Sequence, residues 1–223
     1  MERTTATDRT NGARRAGVVA LALAALVAAQ GVRRALADGE TAPAAGPAAG
    51  YVGPDNCKKC HLKQFKSWKA TPMATSFDQL APDAAVDKKK AAGLDPAKDY
   101  RKDASCLRCH TTGYGTETGY PVVVEGKEWT EAEQARAAKL TSTTCEACHG
   151  PGSLYGPYKK DHEDYKREDL AKLGANVPPT KEACLKCHVK ECPTMPADYA
   201  WEFEKAKASK DKLHEHVALK RTH

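Results

Sequence analysis

Bulky apolar side chains are scarce in this chain of 223 residues. Phenylalanine occurs three times, methionine three times, and aromatic residues make up only 6% of the sequence, while lysines are dense. A chain so built struggles to fill a core from its own side chains, so something else must supply apolar volume. Long hydrophobic runs are missing as well. The one continuous apolar stretch, Gly17 to Ala29, holds 13 residues. That is too short to span a bilayer and suits the central region of a signal peptide.

The N-terminus fits that reading. Arg3, Arg9, Arg14 and Arg15 precede the apolar stretch, and Ala35-Leu36-Ala37 offers a small-residue cleavage site. Residues 1–37 are therefore expected to be a signal peptide, with an uncleaved N-terminal membrane anchor as the alternative that Arg33 and Arg34 keep open. Either way the rest of the chain is exported. Residues 38–50, rich in Ala, Pro and Gly, read as a linker. Residues 51–223 are one domain's worth of sequence.

An excess of charge of one sign is also missing once the leader is set aside. The whole chain is +6. Residues 1–37 carry six arginines against Glu2 and Asp8, which leaves 29 basic against 27 acidic residues beyond them. A basic surface for nucleic acid is not expected.

Cysteine, by contrast, is organised. Eight of the nine cysteines fall in four C-x-x-C-H boxes. Box one is Cys57, Cys60 and His61. Box two is Cys106, Cys109 and His110. Box three is Cys145, Cys148 and His149. Box four is Cys184, Cys187 and His188. The spacing suits covalent haem c: two thiols bond the two vinyl groups of one porphyrin, and the adjacent imidazole ligates the iron. Zinc sites use paired C-x-x-C boxes but need no histidine after every pair. A disulfide framework also leaves the four histidines unexplained. With His at 8 of 223 positions, four such coincidences have odds of roughly one in a million. Four covalently attached haem c groups supply the missing apolar volume. Their propionates bring the oxidised protein to about −2 and the reduced protein to about −6. An anionic carrier is expected to seek a basic docking surface on a redox partner.

The coarse organisation is mainly α, with short helices and long loops. A helix is expected through His61 to Ala70. Thr130 and Glu133 form a capping-box pattern opening a helix to Leu140, and Asp169 to Leu173 reads as a short helix stopped by Gly174. The longest helix is expected from Asp198 to about Lys220, with Tyr199, Phe203, Ala206, Leu213 and Val217 near one face. Pro121 to Gly126 reads as a small strand.

Each iron also needs a group on its second face. The histidines outside the boxes are His162, His214, His216 and His223, and beyond the leader the methionines are Met73 and Met195. On a regular helix His214 lies about 60° from the centre of the apolar face and His216 about 100°, which favours His214 as the inward ligand. His162, in a lysine-rich loop, reads by itself as exposed.

Box order and surroundings resemble the tetrahaem cytochrome c-554 family, whose best-known member accepts electrons from hydroxylamine oxidoreductase. The matching stretches are SWKAT, LDPAKDY, the second box followed by GYG and a later Gly-Tyr, CEACHGPG, DLAKLG and LHEH. They cover nearly all of Tyr51 to Val217. The resemblance implies a small multihaem cytochrome c fold with three six-coordinate haems and one five-coordinate haem. His61 would pair with His162, and His149 with His214. His110 would face an open side. His188 would pair with a residue shortly after Trp68. In the family that residue is histidine; here the place is taken by Met73, which is expected to ligate the iron. A second departure is the shortened segment from Val189 to Trp201, which in the family shapes the pocket of the open haem. Met195 falls in this segment, placed to shield or even bind that iron, and Cys192 reads as a spare thiol, with disulfide dimerisation as the lesser alternative.

The function expected is a periplasmic carrier passing electrons between redox partner proteins, one of them hydroxylamine oxidoreductase-like, with no nucleic acid. Membrane attachment is expected only if the N-terminal segment stays uncleaved. The alternatives are reduction of a nitrogen oxide at an open haem, service as an electron-transfer subunit of a larger oxidoreductase complex, and gas sensing. No acid–base pair stands out for catalysis.

Overall fold

In the computed structural model, residues 48–196 and 198–216 are described, and they contain ten short α-helices and two 3₁₀ turns. Residues 1–37, most of the 38–50 linker, the end of the last expected helix and His223 lie outside them. One compact unit begins at Ala49. Its helices are α1 (Pro54–Cys57), α2 (Leu62–Lys69), α3 (Val86–Ala91), α4 (Ala104–His110), α5 (Glu131–Leu140), α6 (Cys145–His149), α7 (Tyr155–Asp161), α8 (Arg167–Lys172), α9 (Lys181–Cys184) and α10 (Phe203–Ala208).

The best-formed helix starts where its sequence says. In α5 the Glu133 amide donates to Thr130 Oγ1 at 3.3 Å and the Thr130 amide donates to Glu133 Oε2 at 2.8 Å. Two of the helix's orphan amide donors are thereby paired. The buried face of α5, Ala137 and Leu140, packs into a core with Leu80, Tyr100, Leu107 and Tyr120. Leu107 lies inside box two, so this small core is built around that box. Asp103 caps α4 by accepting from the Ser105 amide at 2.9 Å.

Boxes two and three are tied end to end. A single antiparallel bridge joins Thr111 to Thr141. The Thr112 amide donates to Leu140 O at 2.8 Å, the Ser142 amide to His110 O at 2.9 Å, and the Thr144 amide to Thr112 Oγ1 at 2.9 Å. Thr112, Ser142 and Thr144 are buried and hydrogen-bonded, as buried polar groups must be.

Two expected elements differ. The stretch Pro121 to Gly126 is not a strand. Val122 and Val124 are about half exposed, and the Val122 carbonyl accepts from Trp129 Nε1 at 3.0 Å. No neighbouring strand is there to pair with it among the described residues, and a lone strand has no ladder to stabilise it. The long helix after Asp198 shrinks to α10 and a 3₁₀ turn at Lys210–Lys212. Neither buries a residue, so no packed face sustains the helix. The Glu215 amide donates to Ser67 Oγ at 2.7 Å, drawing the chain out of helical register.

Candidate haem-binding site

Each box occupies one helical turn. Boxes two and three lie within α4 and α6. In boxes one and four the His61 amide donates to Cys57 O at 2.9 Å and the His188 amide to Cys184 O at 3.0 Å, the i to i+4 bond of a helix. Residues three and four apart share a helix face, so the first thiol, the second thiol and the imidazole emerge on one side. No disulfide joins any two of the nine cysteines. Among the described residues no three His, Cys, Asp or Glu side chains converge as a zinc site would require.

The boxes touch one another in a definite order. The helix ending at Cys57 packs against the helix beginning at Cys145, joining boxes one and three. Box four reaches box two through Cys187, whose Sγ lies 3.9 Å from Arg108 O. Helix α6 packs against both α1 and α9, so box three meets boxes one and four.

Box three is the most enclosed. Burial first, and then the charge of His214, hold the His149 pKa down at about 4, keeping its imidazole neutral and free to bind metal. Behind it, Asn176 donates its amide to His149 O at 2.8 Å and its side chain to Cys148 O at 2.9 Å. Gly150 has φ of 79°, and a Cβ there would strike the Gly174 carbonyl oxygen. The glycines of CEACHGPG and DLAKLG therefore meet where only glycine fits. Within the box, Glu146 is 1% exposed and accepts from the amides of Val52, Gly53 and Gly152 at 2.7–3.1 Å.

The expected second ligands are placed as follows. The rings of His149 and His214 lie with centroids 6.2 Å apart, tilted 37° to one another. A metal held between two imidazole nitrogens at about 2 Å each sets the ring centres roughly 6 Å apart, so this pair fits one iron. His214 reaches this place from an irregular segment, not from the helix that the wheel argument assumed, and His216 stacks on it at 4.9 Å. His162 is exposed and stacks on Tyr158 at 3.9 Å; no contact joins it to His61 among the described residues. Burial first, and then the charges of Lys159 and His214, lower the His61 pKa. Met73 is half-buried, and its carbonyl accepts from the Thr143 amide at 3.1 Å. His188 stacks on Trp201 at 5.0 Å.

Four of these histidines have Nδ1 engaged: His110 with Ser76 O at 2.5 Å, His162 with Tyr158 O at 3.1 Å, His188 with the Tyr199 hydroxyl at 2.9 Å and His214 with Glu215 O at 2.9 Å. Such bonds orient the ring and leave Nε2 for a metal.

Sequence reasoning passed over Glu146, the Ser76 carbonyl and the aromatic pair Tyr199 and Trp201. An acidic residue between the two cysteines of a box was the one visible signal; the others depend on chain folding. It also left Cys192 unassigned, although Cys192 lines a cavity with box two.

The family profile described as cytochrome c554 and c-prime matches residues 56–150, which hold the first three boxes. A curated relative, cytochrome c-554 of Nitrosomonas europaea, is 30% identical over 194 residues, 77% of each chain. The solved structure of reduced cytochrome c554 from Nitrosomonas europaea superposes with a TM-score of 0.64 at 30% identity, covering 78% of this chain and 89% of that one. With helical boxes, short helices and long loops matching across this span, the chain belongs to the cytochrome c-554 family and is a multihaem c-type cytochrome of electron transfer.

Proposed function

We propose that this chain is a periplasmic tetrahaem carrier that passes electrons between redox partner proteins. The observation that carries the reading is the contact order of the boxes: one to three, three to four, four to two. Bound haem supplies a one-electron Fe(III)/Fe(II) couple at each box. The protein's part is to hold those centres close enough for electrons to pass along the chain of boxes and to set their potentials. Cys57 and Cys60, Cys106 and Cys109, Cys145 and Cys148, and Cys184 and Cys187 anchor the four groups. His61, His110, His149 and His188 ligate them from the box side.

His214 opposes His149, supported by the 6.2 Å ring spacing. His162 opposite His61 and Met73 opposite His188 are supported by the family resemblance and, for Met73, by its half-burial. His162 would leave its Tyr158 stack to do so. Export is supported by the N-terminal pattern, and no helix among the described residues is long and apolar enough to cross a membrane. The hydroxylamine oxidoreductase-like donor comes from the resemblance.

The contact order is tested by replacing one axial ligand. Met for His61 raises the potential of the box-one centre, since Met ligation favours Fe(II). Potentiometric titration with resolved spectra is expected to show box three shifting next most and box two least. Equal shifts in all centres, or a larger shift at box two, would contradict the order.

A further inference from the structure

We propose that Cys192 is the second axial ligand of the iron at box two; the proposal rests on the reading that box two carries a haem. An open cavity has Cys106, Cys109 and His110 in its lining, and Cys192, Pro193 and Thr194 line it as well. Four residues after His188, Cys192 is held in a turn by its amide donating to Val189 O at 3.2 Å and by the Met195 amide donating to Cys192 O at 3.1 Å. The same segment is held to box two upstream, where Cys187 Sγ lies 3.9 Å from Arg108 O. Box four's chain therefore carries a ninth thiol to the haem cavity of box two.

The other donors are engaged elsewhere. His162 stacks on Tyr158, while His214 and His216 gather at His149. Met195 is 37% exposed and is not part of the cavity lining. Two lysines do line the cavity. Lys89 Nζ donates to Ala81 O at 2.5 Å and Pro96 O at 3.4 Å, and Lys88 Nζ donates to Gln79 Oε1 at 3.3 Å. Cys192 Sγ lies 3.4 Å from the Thr194 hydroxyl, a weak interaction for a thiol. It is the one soft donor on the cavity wall not committed to porphyrin attachment. Thiolate is an established axial ligand of haem iron. On binding, Cys192 loses its proton to solvent and donates a sulfur electron pair to ferric iron; no electron changes hands. Cys192 thus takes the place that the family resemblance leaves open opposite His110.

The test uses the full chain matured with its haems. In the ferric wild type, magnetic circular dichroism is expected to show a sulfur-to-iron charge-transfer band, and electron paramagnetic resonance no high-spin haem. Cys192→Ala and Cys192→Ser are each expected to abolish the band, convert one haem to high spin and open it to cyanide. A high-spin haem already present in the wild type and unchanged by Cys192→Ala would overturn the proposal, as would all-low-spin spectra in both. Should the variants fail to mature, absence of the band in the wild type overturns it alone. Peptide mass separates the two levels of failure. A box-two peptide without haem removes the haem reading itself, whereas a haem-bearing peptide without the band removes only the ligand.

Discussion

Three backbone amides from two distant segments converge on the Glu146 carboxylate. It sits between Cys145 and Cys148, and through Val52 and Gly53 it holds the chain leading into box one against box three. Gln at 146 keeps the shape but turns an NH₂ toward amide donors, leaving at least one unsatisfied. Glu146→Gln is expected to destabilise the holoprotein by about 3 kcal/mol, read as a lower urea midpoint at unchanged slope. A change under about 0.5 kcal/mol would show that the carboxylate holds nothing. Met73 is the other residue to vary. If it ligates opposite His188, Met73→His lowers one reduction potential by on the order of 100 mV, within the roughly 0.8 V that axial ligands span. Met73→Ala would expose a high-spin centre. Unchanged spectra in both variants would reduce Met73 to packing.

At the scale of elements, what was legible in the sequence was what local chemistry decides. The α5 start followed from Thr130 and Glu133, because a capping box acts within one turn. The boxes were legible because thioether attachment demands residues i, i+3 and i+4. The α8 helix and its Gly174 stop were legible for the same local reason. The long C-terminal helix was not, because the Glu215 amide finds Ser67 Oγ, which lies 148 residues away in sequence. The placing of His214 against His149 came from the resemblance, while the helical wheel reached the same residue by a geometry the chain does not adopt. The place of Cys192 on the cavity wall was invisible for a related reason: box four folds back on box two only in three dimensions. Local capping invites its own check. Thr130→Ala is expected to remove about 1 kcal/mol, lowering the melting temperature by about 2–4 °C for a chain of this size and leaving the haem spectra unchanged. A spectral change would mean that α5 positions box two more directly than its packing on Leu107 implies.

For the molecule as a whole, the buried apolar core is small: Trp68, Leu80, Tyr100, Leu107, Tyr120, Ala137, Leu140, Tyr165 and Leu170. Only Leu107 among them belongs to a box. The account assigns the missing apolar volume to four covalent haems. Their number is the central claim, and intact mass of the exported, denatured protein measures it most directly. Thioether bonds survive denaturation, so the result expected is the polypeptide, minus any leader, plus four haem masses, with each haem mapping to one box peptide. Fewer than four haems, or boxes that release zinc on acidification, would contradict it.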